Sequence, residues 1–289
     1  MTRVLLTGAS GFVGRHVLDA LRMHTVEIVA VTRNAASMSD IDPAVRIVEM
    51  DIARPGANVF QRLGCPDVLI HLAWGGLPNY KSLHHFETEL PSQYRFIKTL
   101  VEAGLSSMLV TGTCFEYGMQ SGELSESILS QPCTPYAYAK NALLQQLQYL
   151  RKYQPFNLIW ARLFYMYGEG QAINSLYPKL KETVLSGDKV FNMSGGEQLR
   201  DYLPVTEIAH RIVQLAISQC NIGTINICSG KPVSVRNLVE RWIQDNNWEI
   251  ELNLGYYPYP DYEPMEFWGS QNKFVNFMIS SVQFGETTE

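Results

Sequence analysis

The sequence predicts an α/β protein, a doubly wound parallel sheet with a smaller C-terminal lobe. Three observations carry this. A short apolar run, Val4-Leu5-Leu6, leads into Thr7-Gly8-Ala9-Ser10-Gly11-Phe12-Val13-Gly14 and then a helical pattern from Val13 to Leu21. Strand-like and helix-like stretches alternate as far as Leu163. Beyond it the alternation loosens, and Gly168-Glu169-Gly170, Gly187 and Gly195-Gly196 punctuate what reads as the smaller lobe. The expected division is residues 1–168 for the sheet domain and 169–289 for the lobe, with segments around 200–228 returning to the sheet domain.

The glycine stretch has the grammar of a strand, a tight turn and a helix N-terminus. Gly8 permits the turn, Gly11 lets backbone approach a ligand, and Gly14 lets the helix sit close on the sheet. Unpaired N–H groups and the helix dipole then face the loop, which suits a pyrophosphate. A bland strand–turn–helix has the same glycines; the flanking strand and helix favour a Rossmann dinucleotide site.

The second strand, Val26 to Thr32, is rich in β-branched residues. A unit selecting NAD usually places an acid about twenty residues past the glycines, on the ribose 2′-hydroxyl. This chain offers Thr32-Arg33-Asn34 instead. Arg33 can pair with a 2′-phosphate, so NADP(H) is the preferred cofactor and NAD(H) the alternative; otherwise Arg33 is a solvated loop charge. Arg46 to Met50 is the third strand, and Asp51-Ile52 after it is placed for the adenine amine or is an ordinary loop. Asp67 to Ala73 is a fourth, fully buried strand in which His71 reads as a satisfied core histidine; Trp74-Gly75-Gly76 follows at its carboxyl end, where ligands bind in such sheets.

A helical pattern spans 85–104, with Pro91 inside or starting it and Gly104 closing it. His84-His85 and Glu87 read as a solvated helix start. The fifth strand, Met108 to Thr111, runs into Gly112-Thr113-Cys114-Phe115-Glu116-Tyr117-Gly118, and Tyr136 to Lys140 opens a helix reaching about Tyr153. Leu158 to Leu163 is the sixth strand, and the last ten residues read as a polar tail.

Composition bounds the class. The 289 residues are 46% hydrophobic and 18% charged, with net charge −5, which gives no basic footprint for nucleic acid. Five cysteines without a C-x-x-C read as reduced thiols, and no apolar run approaches the ~18 residues of a membrane span. No metal site is evident, and a cytoplasmic enzyme is expected.

Tyr136 and Lys140 stand four apart at a helix start, so both project from one face. A tyrosine of pKa near ~10 is a poor acid–base group at neutral pH. A nearby ammonium lowers that value, suiting a residue that shuttles a proton at a sugar oxygen while hydride moves at carbon.

With the glycine loop and Thr113, this pair makes the chain resemble the extended short-chain dehydrogenase/reductase family: epimerases, dehydratases and ketoreductases of nucleotide sugars. Further matches are Ile70-His71-Leu72-Ala73, Tyr117-Gly118, Arg162-Leu163, Tyr167-Gly168, Ser175-Leu176-Tyr177-Pro178, and Gly195-Gly196-Glu197-Gln198-Leu199-Arg200-Asp201-Tyr202. The resemblance implies that Tyr136 is the catalytic acid/base, that Lys140 bonds the nicotinamide ribose and tunes Tyr136, and that Thr113 bonds the reacting oxygen. It implies a cofactor site of Gly8, Ser10, Gly11, Phe12, Val13, Arg33, Asp51, Ile52, Leu72, Ala73, Trp74, Leu163 and Phe164 with Tyr136 and Lys140. The substrate set is Trp74, Thr113, Cys114, Phe115, Tyr165, Asn174, Leu176, Phe191 and Arg200, with Arg200 on the nucleotide diphosphate or in a structural salt bridge. It also implies a homodimer through a four-helix bundle of the helices near 85–104 and 136–153, although Tyr149, Leu150 and Tyr153 are as easily contacts within the subunit.

Departures from the pattern narrow the activity. Dehydratases carry Asp-Glu after the hydroxyl residue, where this chain has Cys114-Phe115. The 3,5-epimerase/reductases place cysteine where Phe115 stands, so Cys114 reads as packing, with an epimerising acid as the alternative. A usual asparagine is Tyr165. The expected activity is NADPH-dependent reduction of the 4-keto group of a nucleotide-linked 4-keto-6-deoxyhexose, in deoxysugar biosynthesis. A nucleotide-sugar 4-epimerase that keeps NAD bound is the alternative, and a non-catalytic NADP(H) sensor the third reading.

Overall fold

The computed structural model describes residues 1–285, with side chains as far as Ser280. The chain resolves into two units: Met1–Gly118, Ser130–Leu163 and Thr206–Ile225 form one, and Met119–Leu129, Phe164–Val205 and the chain from Asn226 form the other.

The first unit is organised by β1 (Thr2–Thr7), β2 (Val26–Thr32), β3 (Arg46–Glu49), β4 (Val68–His71), β5 (Ser107–Thr113), β6 (Asn157–Leu163) and β7 (Gly223–Ile227), in the order β7-β6-β5-β4-β1-β2-β3. The pairings from β3 through β6 are parallel, in registers such as Thr7 opposite His71 and Thr113 opposite Leu163. A parallel sheet is covered on both faces, and its central strands are accordingly apolar: Val4, Leu5, Leu6, Leu69 and Ile70 are fully buried. The crossovers include α1 (Phe12–Leu21), α2 (Leu90–Glu102), α3 (Pro135–Tyr153) and α4 (Val205–Ile217). Chain order reverses between β1 and β4, which places the ligand crevice at their carboxyl ends.

Several boundaries differ from those read in the sequence. The 85–104 helix is a π-helical segment, His85–Glu89, followed by α2 with Pro91 in the first turn, where a missing N–H is harmless. His85 is wholly buried rather than solvated. The sheet unit breaks off at Leu163 rather than residue 168, resumes over Thr206–Ile225, and leaves 119–129 to the second unit. There Gly122–Leu124 pairs with Phe267–Gly269, and the Asn226 amide donates to Glu126 at 2.9 Å. The expected polar tail is helical as far as it is described, since a helix spans Asn272–Gly285. Residues 286–289 of that tail lie outside the described residues.

The second unit is built from two-stranded pairings. Leu199–Arg200 runs antiparallel to Val233–Ser234, Tyr202–Pro204 parallel to Tyr165–Tyr167, and Glu251–Asn253 parallel to Val190–Asn192. Leu180, Phe191, Met193, Leu238, Val239 and Trp242 form its core.

The seating of α1 on β1 depends on one glycine. A Cβ at Gly14 would lie 2.1 Å from the Gly8 carbonyl oxygen, whereas one at Gly11 meets the same oxygen at 3.2 Å. Gly14→Ala is therefore expected to destabilise the protein by about 1–3 kcal/mol, as overpacking does, and Gly11→Ala by less. Urea unfolding of both variants checks this ordering, and equal midpoints would contradict it.

Candidate functional site

At the crevice, Gly8 takes φ +74°, and a Cβ there would stand 2.8 Å from the Ala73 nitrogen. Gly11 caps α1 with no side-chain hydrogen bond, so the first-turn N–H groups, with Phe12 and Val13, are presented to the loop. Ser10 accepts from the Thr32 hydroxyl at 3.2 Å, and Leu72 N donates to Thr7 O at 3.2 Å. A bare backbone cradle with unpaired N–H donors fits a dinucleotide pyrophosphate. Arg33 is exposed past β2. An acid does stand beside this strand end, delivered by the neighbouring strand: Glu49 pairs with Thr32 and accepts from Ala35 N at 2.8 Å. Asp51 folds onto its own turn, accepting from Ala53 N at 3.0 Å, and Ile52 packs on the core. Leu163 ends β6, whereas Phe164 belongs to the second unit, buried with its ring 6.3 Å from that of Phe267.

Thr113, Tyr136 and Lys140 converge in the first unit. Thr134 caps α3 through Ala137 N, at 3.2 Å, and sets Tyr136 and Lys140 one turn apart. The Thr113 side chain hydrogen-bonds Tyr136. Burial raises the Tyr136 pKa above its ordinary value, with Tyr80, Glu116 and Cys114 adding to the rise and the Thr113 bond opposing it. This reverses the sequence expectation of a lowered value. Lys140 is spent elsewhere: its Nζ donates to Thr111 O at 2.8 Å and lies 4.1 Å from the Trp74 ring centroid. Burial brings the Lys140 pKa down to about 7, opposed by Glu116 and Glu89.

Glu116, which the motif reading passed over, holds this arrangement. Its carboxylate is fully buried and accepts from Thr113 N at 2.9 Å, Trp160 Nε1 at 3.0 Å and Arg162 Nε at 2.8 Å. Gly112 is required beside it, because a Cβ there would lie 2.2 Å from Trp160 Nε1. Thr113 and Glu116 form a capping box, a Thr-x-x-Glu spacing legible in the sequence.

Aromatic rings wall the tyrosine: Trp74, Tyr80 and His85 have centroids 6.1, 5.6 and 5.2 Å from that of Tyr136. Trp74 Nε1 donates to His85 Nδ1 at 3.1 Å, so His85 donates from Nε2 to Asn79 O, at 2.9 Å. Phe115 stacks edgewise on Tyr80 at 5.1 Å, and Cys114 is buried. His71 is the satisfied core residue expected. Gln93 donates to Glu89 at 2.8 Å and accepts from His71 Nε2 at 2.8 Å, leaving Nδ1 to accept from Thr7. Burial lowers its pKa to about 3.

The second unit holds a cavity of about 340 Å³, within the range of small-molecule sites. Tyr165, Asn174, Leu176, Phe191 and Arg200 line it, whereas Trp74, Thr113, Cys114 and Phe115 of the expected substrate set do not. Arg200 bonds Glu263, at 2.9 Å, and not Asp201, which instead accepts from the backbone N–H groups of Ser229 and Gly230. The Tyr165 hydroxyl bonds the same Glu263. Glu263 was invisible to motif reading.

Residues 4–228 match the NAD dependent epimerase/dehydratase family. The chain belongs to that family and is an enzyme of the extended short-chain dehydrogenase/reductase type. It is 28% identical over 273 residues (93% of this chain, 99% of the relative) to dTDP-6-deoxy-L-talose 4-dehydrogenase (NAD(+)) of Aggregatibacter actinomycetemcomitans. It is 24% identical to GDP-6-deoxy-D-talose 4-dehydrogenase of the same organism, over 98% of this chain and 93% of that one. The fold superposes on UDP-glucuronic acid 4-epimerase from Bacillus cereus, in complex with UDP-glucuronic acid and NAD. That match has a TM-score of 0.81 and 21% identity, covering 95% of this chain and 92% of that one. No helix among the described residues is long and apolar enough to cross a membrane.

The buried lysine makes stability depend on pH. With a folded pKa near 7 against an ordinary 10.5, the unfolded chain binds more protons between these values, so stability rises with pH across that window. Lys140→Met is expected to remove that rise. Urea unfolding at pH 7 and at pH 10 measures it, and identical pH dependence in both proteins would contradict the buried ammonium.

Proposed function

We propose that the chain is an oxidoreductase acting at C4 of a nucleotide-linked 6-deoxyhexose, reducing a 4-keto group. The observation that carries this reading is the buried Tyr136 phenol beside Thr113, with Lys140 across the Trp74 ring from it. When bound, a nicotinamide dinucleotide would supply the hydride, and the Gly8–Val13 loop, the Leu72–Trp74 segment and Lys140 would hold it. Tyr136 then donates its proton to the developing alkoxide while Thr113 hydrogen-bonds the same oxygen. Dehydration needs free carboxylates after Thr113, and the one carboxylate in that stretch, Glu116, is sealed by Arg162 and Trp160. Two relatives named as 6-deoxytalose 4-dehydrogenases fit chemistry at C4 of a deoxysugar. The likeness to 4-epimerases supports the runner-up, in which a bound cofactor returns hydride to the opposite face.

Arg33 supports NADP(H) as the preferred cofactor, although one relative is named for NAD(+). A charge-assisted contact to the 2′-phosphate is worth about 1.5 kcal/mol, or roughly tenfold in kcat/KM. The test is a cofactor-oxidation assay on dTDP-, CDP-, GDP- and UDP-linked 4-keto-6-deoxy sugars with NADPH and NADH. Net oxidation of NADPH, lost by roughly 10²- to 10⁴-fold in Tyr136→Phe, is expected. Turnover without net cofactor consumption would identify the epimerase, and an unimpaired Tyr136→Phe would refute the catalytic assignment.

We also propose a homodimer. Tyr138, Tyr149 and Tyr153 are 55%, 63% and 87% exposed on one face of α3, whereas Leu150 is buried within the subunit. Light scattering should give twice the 32.7 kDa chain mass, and a monomer would overturn this.

A further inference from the structure

One histidine holds the stretch of chain that walls the catalytic tyrosine. Past β4, residues 74–85 run from Trp74 through a turn at Gly76, φ +81°, back to His85 at the π-helical start. His85 is wholly buried, and both of its ring nitrogens are spent inside this stretch. The Trp74 Nε1–H can only donate, so His85 Nδ1, 3.1 Å away, is the acceptor. The ring proton therefore sits on Nε2 and is donated to the Asn79 carbonyl at 2.9 Å. This neutral imidazole bridges the start of the stretch and its middle. The backbone is laid close against it, since a Cβ at Gly76 would stand 3.2 Å from His85 Cε1.

Both groups gripped by His85 reach the catalytic residues. The Trp74 indole faces Lys140, whose Nζ is 4.1 Å from the ring centroid, and meets the Tyr136 ring edgewise at 6.1 Å. For an ammonium only 2% exposed, an aromatic face takes over part of what water supplies. Asn79 is followed by Tyr80, whose carbonyl accepts from the Tyr136 backbone N–H at 3.2 Å. That N–H lies in the first turn of α3, where no intrahelical acceptor exists. One imidazole thus fixes the indole against the lysine and the turn that tethers the tyrosine.

We propose that His85 is a positioning residue: through Trp74 and the Asn79–Tyr80 turn it sets the places of Lys140 and Tyr136. This rests on the reading above that Lys140 holds a nicotinamide dinucleotide and Tyr136 delivers a proton. Phenylalanine at this position keeps a ring but removes both hydrogen bonds, leaving an indole N–H and a carbonyl without their partner. Asparagine keeps an acceptor bonded to Cγ, where Nδ1 stands, and so keeps the hold on Trp74.

The test compares His85→Phe, His85→Asn, Trp74→Phe and the Trp74→Phe/His85→Phe double variant with the wild-type full chain. Calorimetry gives NADPH and NADH affinities. Turnover is measured on the 4-keto-6-deoxy sugar nucleotides at saturating dinucleotide, under conditions where urea unfolding shows each variant folded. Because a misplacement of ~1 Å can cost ~10²-fold, His85→Phe should lower kcat by about tenfold or more. KM for the sugar should stay within about twofold, the mark of an interaction used in the transition state. The dinucleotide Kd should rise by about tenfold, the worth of one charge-assisted contact from Lys140. His85→Asn should recover much of both losses. On the Trp74→Phe background His85→Phe should cost less than on the wild type, since one of its two bonds is already gone. In ¹⁵N NMR the Trp74 indole N–H, assigned by its absence in Trp74→Phe, should shift and exchange faster in His85→Phe than in His85→Asn. If His85→Phe does not fold, His85→Gln, which reaches Asn79 but not Trp74, replaces it with the same ordering expected against His85→Asn. A folded His85→Phe with kcat within about twofold of wild type, or a His85→Asn no better than it, would overturn the proposal and leave the activity standing. A wild-type chain that reduces none of the sugars would overturn the activity, and the dinucleotide affinities would then decide for or against His85. One that binds neither dinucleotide would overturn both.

Discussion

The buried carboxylate of Glu116 is the constraint on which the catalytic half of the first unit depends. It gathers Thr113 N from the end of β5 and Trp160 Nε1 and Arg162 Nε from β6, so that two neighbouring strand ends and the turn after them are locked together. A charge out of water is tolerable when hydrogen bonds and a counter-charge meet it, and here three N–H donors reach the carboxylate, one of them from the Arg162 guanidinium. Removing one member of such a pair costs about 3–5 kcal/mol because the other is left stranded. The same charge reaches further, since Glu116 supports the protonated forms of both Tyr136 and Lys140.

That electrostatic setting explains why the tyrosine is held as an acid. Sequence reasoning placed a lysine one helical turn away and inferred a stabilised phenolate. In the folded chain, burial dominates the tyrosine, and the lysine is turned to the Thr111 carbonyl and the Trp74 ring. Desolvation disfavours whichever form is charged, so it raises a phenol and lowers an ammonium together. A protonated phenol beside a hydroxyl donor is suited to receiving negative charge as it develops on a substrate oxygen.

What could be read in advance was what local chemistry determines. The glycine loop was legible because the steric demands of Gly8 and Gly14 are met within one turn of chain and against an adjacent strand. The Tyr136–Lys140 spacing was legible because helical period alone puts them on one face. Six of the seven sheet strands were legible from their apolar runs, whereas Gly223–Ile227 was not read as a strand. Glu116 with Arg162 and Arg200 with Glu263 lie 46 and 63 residues apart, and topology rather than spacing brings them together. His85 looked like a solvated helix start because its burial comes from the rings and the turn folded around it. The unit boundary was misplaced for the same reason, since 119–129 leaves the sheet unit to pair with Phe267–Gly269, far along the chain.

The central claim is that this chain moves hydride at C4 of a sugar nucleotide with Tyr136 supplying the proton. Isotope transfer tests it most directly. NADPH carrying deuterium at the transferable position of the nicotinamide is incubated with a nucleotide-linked 4-keto-6-deoxyhexose, and the sugar product is read by NMR and mass spectrometry. The account predicts one deuterium at C4 for each NADP+ formed. Product without deuterium at C4, or a changed configuration at another carbon, would contradict it.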